Sequence, residues 1–274
     1  MMLALLMLAF PAMATAQPAT SAPPRPDARA ALLDTLATLT PREPLAAALT
    51  VTKTSTSGDE DAPRTSHGSL SVDIRSDALG LHVDVPAAVL RTARAESLAQ
   101  QKDADAATPV MGLLASFSLM RAESLANYAP GLLTTLADAK LVSQGPAKSG
   151  GQAAQLLVFD IPLNLSGGDR ENLDDYSGQV KVWVGGDGVP RRVESTYTYK
   201  FSKFFISFTS TTQSTCDVMR IGSRLLCSRR HAVASGSGLG RHGKSVTNSV
   251  LQPVAAVPAA AASLAPAPAS TAPM

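Results

Sequence analysis

Gln179-Val180-Lys181-Val182-Trp183-Val184, then Gly185-Gly186-Asp187-Gly188, then Val189 through Lys200 (VPRRVESTYTYK) is the stretch that decides the fold. Two extended runs flank a tetrapeptide of three glycines and an aspartate. Asp-Gly with neighbouring glycines supplies the positive φ angles of a tight hairpin. Further strand-like runs lie on both sides: Gln155 to Leu163 before it, and Phe204 to Val218, Arg224 to Ala234 and Lys244 to Leu251 after it. Consecutive strands joined by short turns predict a meandering antiparallel sheet. Three more strands lie far upstream. Leu45 to Ser55 is Thr-rich and closes at Gly58-Asp59-Glu60-Asp61, while Ser69 to Arg75 and Leu81 to Val85 alternate apolar with polar residues around a turn at Asp77-Ala78-Leu79-Gly80. That alternation is the mark of half-buried antiparallel strands.

Between the two sets of strands the period becomes helical. Ala87 to Gln101 predicts one helix and Thr108 to Ala126 a second, with Met111, Leu114, Phe117 and Met120 near helical spacing; Pro130 to Ala137 predicts a short third. An opening helix runs from Asp27 to Leu39, with Asp27 as N-cap and Leu32, Leu33, Leu36 and Leu39 on one stripe. A sheet must hide one face, and the helical insert is its cover. The expected class is α+β: a curved antiparallel β-sheet, half-barrel-like, covered by a helical insert, in a single domain spanning 28–252.

The ends differ in composition. Met1 to Ala16 holds a short apolar run and ends in Ala14-Thr15-Ala16, the small-x-small form that signal peptidase cuts, although no basic residue precedes Arg25. It is read as a signal peptide cleaved near Ala16. Residues 17–27 are rich in Pro, Ala, Ser and Thr and read as a disordered leader; 253–274 reads as a disordered Ala/Pro-rich tail. No later run approaches the roughly 20 apolar residues of a transmembrane span. The expected localisation is therefore periplasmic, in soluble form.

The order of elements in an exported chain, the Ala/Leu-rich opening helix, and the hairpin Val180–Val184 to Val189–Val193 together resemble the bacterial periplasmic lipoprotein carriers, the half-barrel family of LolA and LolB. That resemblance implies a hollow apolar cavity for acyl chains between sheet and helices.

Only two cysteines occur, Cys216 and Cys227, equidistant from Ile221-Gly222. In an oxidising compartment they are expected to form a disulfide across a hairpin, with a four-residue loop Arg220 to Ser223 setting them opposite each other. A reactive redox pair is the alternative, but the chain lacks the C-x-x-C spacing.

Most aromatics cluster late. Tyr197 and Tyr199 share one strand face, and Phe204 and Phe208 share a face of the next. In a hollow sheet these and Trp183 line a ligand cavity, with Met111 and Met120 as adaptable plugs; in a filled one they are ordinary core. Basic residues also gather late. Arg229, Arg230, His231 and Arg241 are read as a basic rim for an anionic headgroup, or as a solvated strand face.

Asp169, Glu171, Asp174 and Asp175 lack EF-hand spacing, so no metal is assigned. The histidines, 67, 82, 231 and 242, show no metal or catalytic spacing. Gly236-Ser237-Gly238-Leu239-Gly240 lies between strands and cannot aim a helix at phosphate. No catalytic residue, cofactor or nucleic-acid partner is expected. Two functions are: a non-catalytic envelope carrier of a lipid or acylated ligand, or a structural module with a filled core that docks an envelope protein.

Overall fold

The computed structural model describes residues 27–40, 43–59, 63–77, 79–163, 173–203, 206–238 and 241–254. The expected signal peptide, most of the leader, nearly all of the tail, Phe204, Asp169 and Glu171 lie outside the described residues.

The described residues form one ten-stranded antiparallel sheet with helices on one face. In order the elements are α1 (Ala28–Thr38), β1 (Leu45–Asp59), β2 (Arg64–Asp77), β3 (Gly80–Asp84), α2 (Ala87–Lys102), α3 (Pro109–Ser116), α4 (Leu119–Ala126), α5 (Tyr128–Ala137), β4 (Lys140–Ser149), β5 (Gln152–Asp160), β6 (Leu173–Val184), β7 (Pro190–Lys203), β8 (Ile206–Ile221), β9 (Arg224–Gly238) and β10 (Arg241–Pro253). The sheet runs β3-β2-β1-β10-β9-β8-β7-β6-β5-β4 and stays open, with β3 and β4 at its edges. It is the expected curved sheet with a helical insert. β1 and β10 pair from Ala47↔Pro253 to Asp59↔Arg241, which joins the early and late strands into one surface.

Strand alternation puts one row of residues after another on the helix-bearing face. One row crosses the sheet as Leu70, Val51, Ser249, Arg230, Cys216, Val193, Val182 and Leu157. The apolar members of such rows meet the helices in two cores. In the first, Leu32, Leu36 and Leu39 of the α1 segment and Leu132 and Leu136 of α5 cover Leu157, Phe159, Val180 and Val182. In the second, Leu113 of α3 and Leu125 of α4 cover Leu49, Leu70, Val72, Ile74 and Leu251. Tyr128 and Val218 pack against both.

Asp27 caps α1 by accepting from the backbone N–H groups of Arg29 (2.9 Å) and Ala30 (3.4 Å). Arg29 then reaches across to donate to the carbonyls of Ala137 and Ala139, at the C-terminal end of α5. A cation there satisfies carbonyls that have no partner within the helix and complements the helix dipole. α3 comes down so closely that a Cβ on Gly68 of β2 would lie 2.7 Å from the Pro109 carbonyl oxygen.

The structure corrects four local expectations. The helix expected over Thr108–Ala126 is two helices, because Phe117 and Ser118 take extended backbone between α3 and α4. β4 was not foreseen, since Gly145 and Pro146 argue against a strand; at a sheet edge the missing N–H of proline costs no ladder bond. The β8–β9 loop has two residues, Gly222-Ser223, with Gly222 at φ 58°. The cysteines are therefore not directly opposite: Cys216 pairs with Arg230, Cys227 pairs with Val218, and Ser228 is the extra residue of a bulge between them. The bulge turns Cys227 to the face of Cys216, and the two are disulfide-bonded at a Cα separation of 5.7 Å.

Candidate functional site

A cavity of about 100 Å³ lies between the helical cover and the sheet. Its walls are apolar: Leu49, Val51 and Leu70 from the sheet, Leu113, Ala122 and Leu125 from α3 and α4, and Phe117 between those helices. Its rim is polar, with Lys53, Arg121, Ser116, Ser118 and Thr247. The alternation that buries Leu49 and Val51 in β1 carries Lys53 onto the same face.

Lys53 begins the row Lys53, Thr247, Ala232, Ser214, Ser195, Val180, Phe159. Arg230 stands one row closer to the core and two strands away, on the same face. It lies close enough to Arg121 that burial first, and the Arg121 charge second, hold its guanidinium below the usual arginine range; the Tyr128 hydroxyl opposes this. Among the described residues, no carboxylate is within ion-pair distance of Lys53, Arg121 or Arg230.

Beyond these cations the helix-bearing face becomes a shallow floor of small residues. One row reads Ser55, Ser245, Ala234, Thr212, Tyr197 and the next Ser57, Gly243, Gly236, Ser210, Tyr199, Tyr176; none of these residues is buried. The aromatics form a wall at one side. The Tyr176 and Tyr199 rings are 5.2 Å apart, and Tyr199 stacks on Phe201 at 6.2 Å. Desolvation, then the neighbouring Tyr199 and Tyr197, push the Tyr176 hydroxyl up to about 12, and burial does the same to Tyr128. Phe208 lies across Gly236 and Gly238, where a Cβ would meet its ring at 3.1 and 3.0 Å; the glycine-rich segment there makes room for an aromatic ring.

The expected site residues therefore divide. Tyr197, Tyr199 and Phe208 do share the helix-bearing face, Phe208 being 44% exposed. Trp183 does not. Val180, Val182 and Val184 take the inner face of β6, so Trp183 points outward, where the Arg192 guanidinium lies 5.8 Å from its ring centroid. Met111 is half-buried in α3, but Met120 is 83% exposed and plugs nothing. Of the three rim residues whose side chains are described, Arg230 faces the cavity side. Arg229 and His231 alternate to the outer face, where His231 hydrogen-bonds Asn248 at 2.7 Å. Arg241 lies in β10, and its side chain is outside the described set.

Lys53 and Arg121 were missed by sequence reasoning. The signal for Lys53 was the inward alternation of Leu49 and Val51; Arg121 carried none. A separate open groove of about 660 Å³ lies beside α4, bounded by Leu81, Leu119 and Met120. Its buried Arg224 (4% exposed) is a clamp, donating to Ser76 Oγ and to the carbonyls of Ala126 and Glu43. Among the described residues no group of three or more His, Cys, Asp or Glu is placed to hold a metal, and no helix is long and apolar enough to cross a membrane. Comparison with known proteins finds no matching family model and no matching curated protein.

Proposed function

We propose that this chain is an exported, non-catalytic envelope protein that binds the acyl chain of an amphiphilic ligand between its sheet and its helical cover. The observation that carries this reading is the apolar cavity beneath α3 and α4, opening at a polar rim. Each methylene moved from water into such a site contributes about 0.8 kcal/mol. At about 100 Å³ the closed cavity is smaller than the roughly 300–1,000 Å³ of typical ligand sites, so loading requires the cover to lift. The weaker half of the cover is α4. α3 and α4 have eight residues each and join through extended backbone, but the Glu96 carboxylate of α2 accepts from the first-turn N–H groups of α3 at Val110 (3.2 Å) and Met111 (2.7 Å), whereas the Ser118 side chain makes no cap bond to α4. Helices that short have little stability of their own. Export is supported by the apolar run ending in Ala14-Thr15-Ala16 and by the buried disulfide.

The test is titration with a fluorescent fatty-acid probe. Saturable one-site binding that falls on filling the cavity with Ala122→Leu is expected. No saturation by protein that unfolds cooperatively and retains its disulfide overturns the reading. The small size of the closed cavity favours one alternative, a periplasmic interaction module with a filled core. For that module, deletion of 253–274 lowers the yield of partner pull-down while the probe never binds.

A further inference from the structure

Two cations from separate elements line the cavity rim, Lys53 of β1 and Arg121 of α4, and a third, Arg230 of β9, stands on the same sheet face near enough to Arg121 to feel its charge. Lys53 and Arg230 are half-buried. Several arginines elsewhere are partnered. Arg75 meets Asp84 at 2.6 Å, Arg192 meets Glu194 at 2.8 Å, and buried Arg224 donates to two carbonyls and the Ser76 hydroxyl. At the rim, among the described residues, no acid offsets the like charges, although partly desolvated cations are costly without a counter-charge. Ser118 and Thr247 line the same opening and add neutral donors, while the Ser116 hydroxyl there donates to the Leu113 carbonyl.

We infer that Lys53, Arg121 and Arg230 bind a phosphate-type anion, the headgroup of the amphiphile. This rests on the acyl-chain reading for the position of the chain, but the anion site has its own observations. A phosphate monoester suits the arrangement better than a carboxylate. It brings up to two charges and three acceptor oxygens to two guanidiniums and an ammonium, whereas one carboxylate leaves most of the cluster unpaired. The neighbouring floor supplies no competing anion: the rows beginning at Lys53, Ser55 and Ser57 contain no Asp or Glu from β1 across to β7.

The experiment compares three probes on the full chain by calorimetry: lysophosphatidic acid, the monoacylglycerol of the same chain length, and inorganic phosphate. Lysophosphatidic acid is expected to bind at least about tenfold more tightly than the monoacylglycerol. Arg121→Gln with Arg230→Gln should abolish that difference, so that the two lipids bind the variant with equal affinity. Lys53→Gln, at a half-exposed strand position, gives a milder loss of the same kind and serves if the double variant does not fold. Equal binding of both lipids, indifferent to these substitutions, overturns the anion site and leaves the acyl reading intact. Binding of phosphate without either lipid, lost in the double variant, supports the anion site and removes the acyl chain. Failure of all three probes overturns both.

Discussion

Gly68→Ala tests whether α3 is seated on the sheet as described. The added Cβ would lie 2.7 Å from the Pro109 carbonyl oxygen and 2.8 Å from Leu113 Cδ1. Ordinary Cβ contacts begin near 3.4 Å, so the oxygen must retreat by 3.4 − 2.7, or about 0.7 Å. Leu113 can rotate, but a backbone carbonyl in the first turn of a helix can retreat only with the helix. Overpacking of this kind costs about 1–3 kcal/mol. Alanine also restricts the unfolded chain, which returns about 0.4–1 kcal/mol. The net expectation is a loss of about 1–2 kcal/mol, read as a lower denaturation midpoint at unchanged slope. Hydrogen exchange localises the effect: amides of 110–116 should lose protection while those of α1 and α5 keep theirs. The same displacement widens the cavity and should tighten binding of the fatty-acid probe. An unchanged midpoint together with unchanged protection of α3 would refute the close approach.

Two further outcomes follow from the core. Replacing Cys216 and Cys227 with alanine removes a cross-link of sequence separation 11, for which loop entropy gives a loss of about 3 kcal/mol; equilibrium denaturation showing less than about 1 kcal/mol would contradict a structural role. The tyrosines make the fold sensitive to alkali. The Tyr128 hydroxyl is raised from 10.0 to about 12 by burial, so its contribution is fully present below pH 10 and is lost as pH rises towards 12. The shift corresponds to roughly 2–3 kcal/mol. Phenolate absorbance should therefore lag in the folded protein between pH 10 and 12 and appear on unfolding. Titration of all four tyrosines near pH 10 would show that Tyr128 is not buried.

Local pattern carried much of the fold into view. The β6–β7 hairpin was legible in its glycines, the β2–β3 pair in its alternation, and α1 in its Asp27 cap and leucine stripe. The disulfide partners were legible too, but their register was not, because the Ser228 bulge is a one-residue change with no compositional mark. The meeting of β1 with β10 could not be read locally, since it joins residues some two hundred positions apart. The site was less legible for a related reason. Trp183 was grouped with the other aromatics as a cavity liner, although its neighbours Val180, Val182 and Val184 already claimed the inner face and left Lys181 and Trp183 outside. Arg229, Arg230 and His231 form one cluster in sequence, but a strand deals adjacent side chains to opposite faces. Only the middle one reaches the cavity side, where it joins Lys53 and Arg121, residues that its own neighbourhood does not suggest.

The position of β10 sets the order in which the sheet can be assembled. The last strand of the described chain lies in its interior, between β1 and β9. Until Arg241–Pro253 is available, β1–β3 and β4–β9 are two separate ribbons, each with a long unpaired edge. Those edges are templates for wrong partners as well as for β10. Completion of this sheet must therefore wait for β10, and pairings of such sequence separation form slowly. A chain interrupted at residue 240 should not give a slightly smaller version of this protein. It should give two half-sheets with adhesive margins, recognisable by aggregation during refolding and by rescue when a peptide spanning Arg241–Pro253 is supplied in trans.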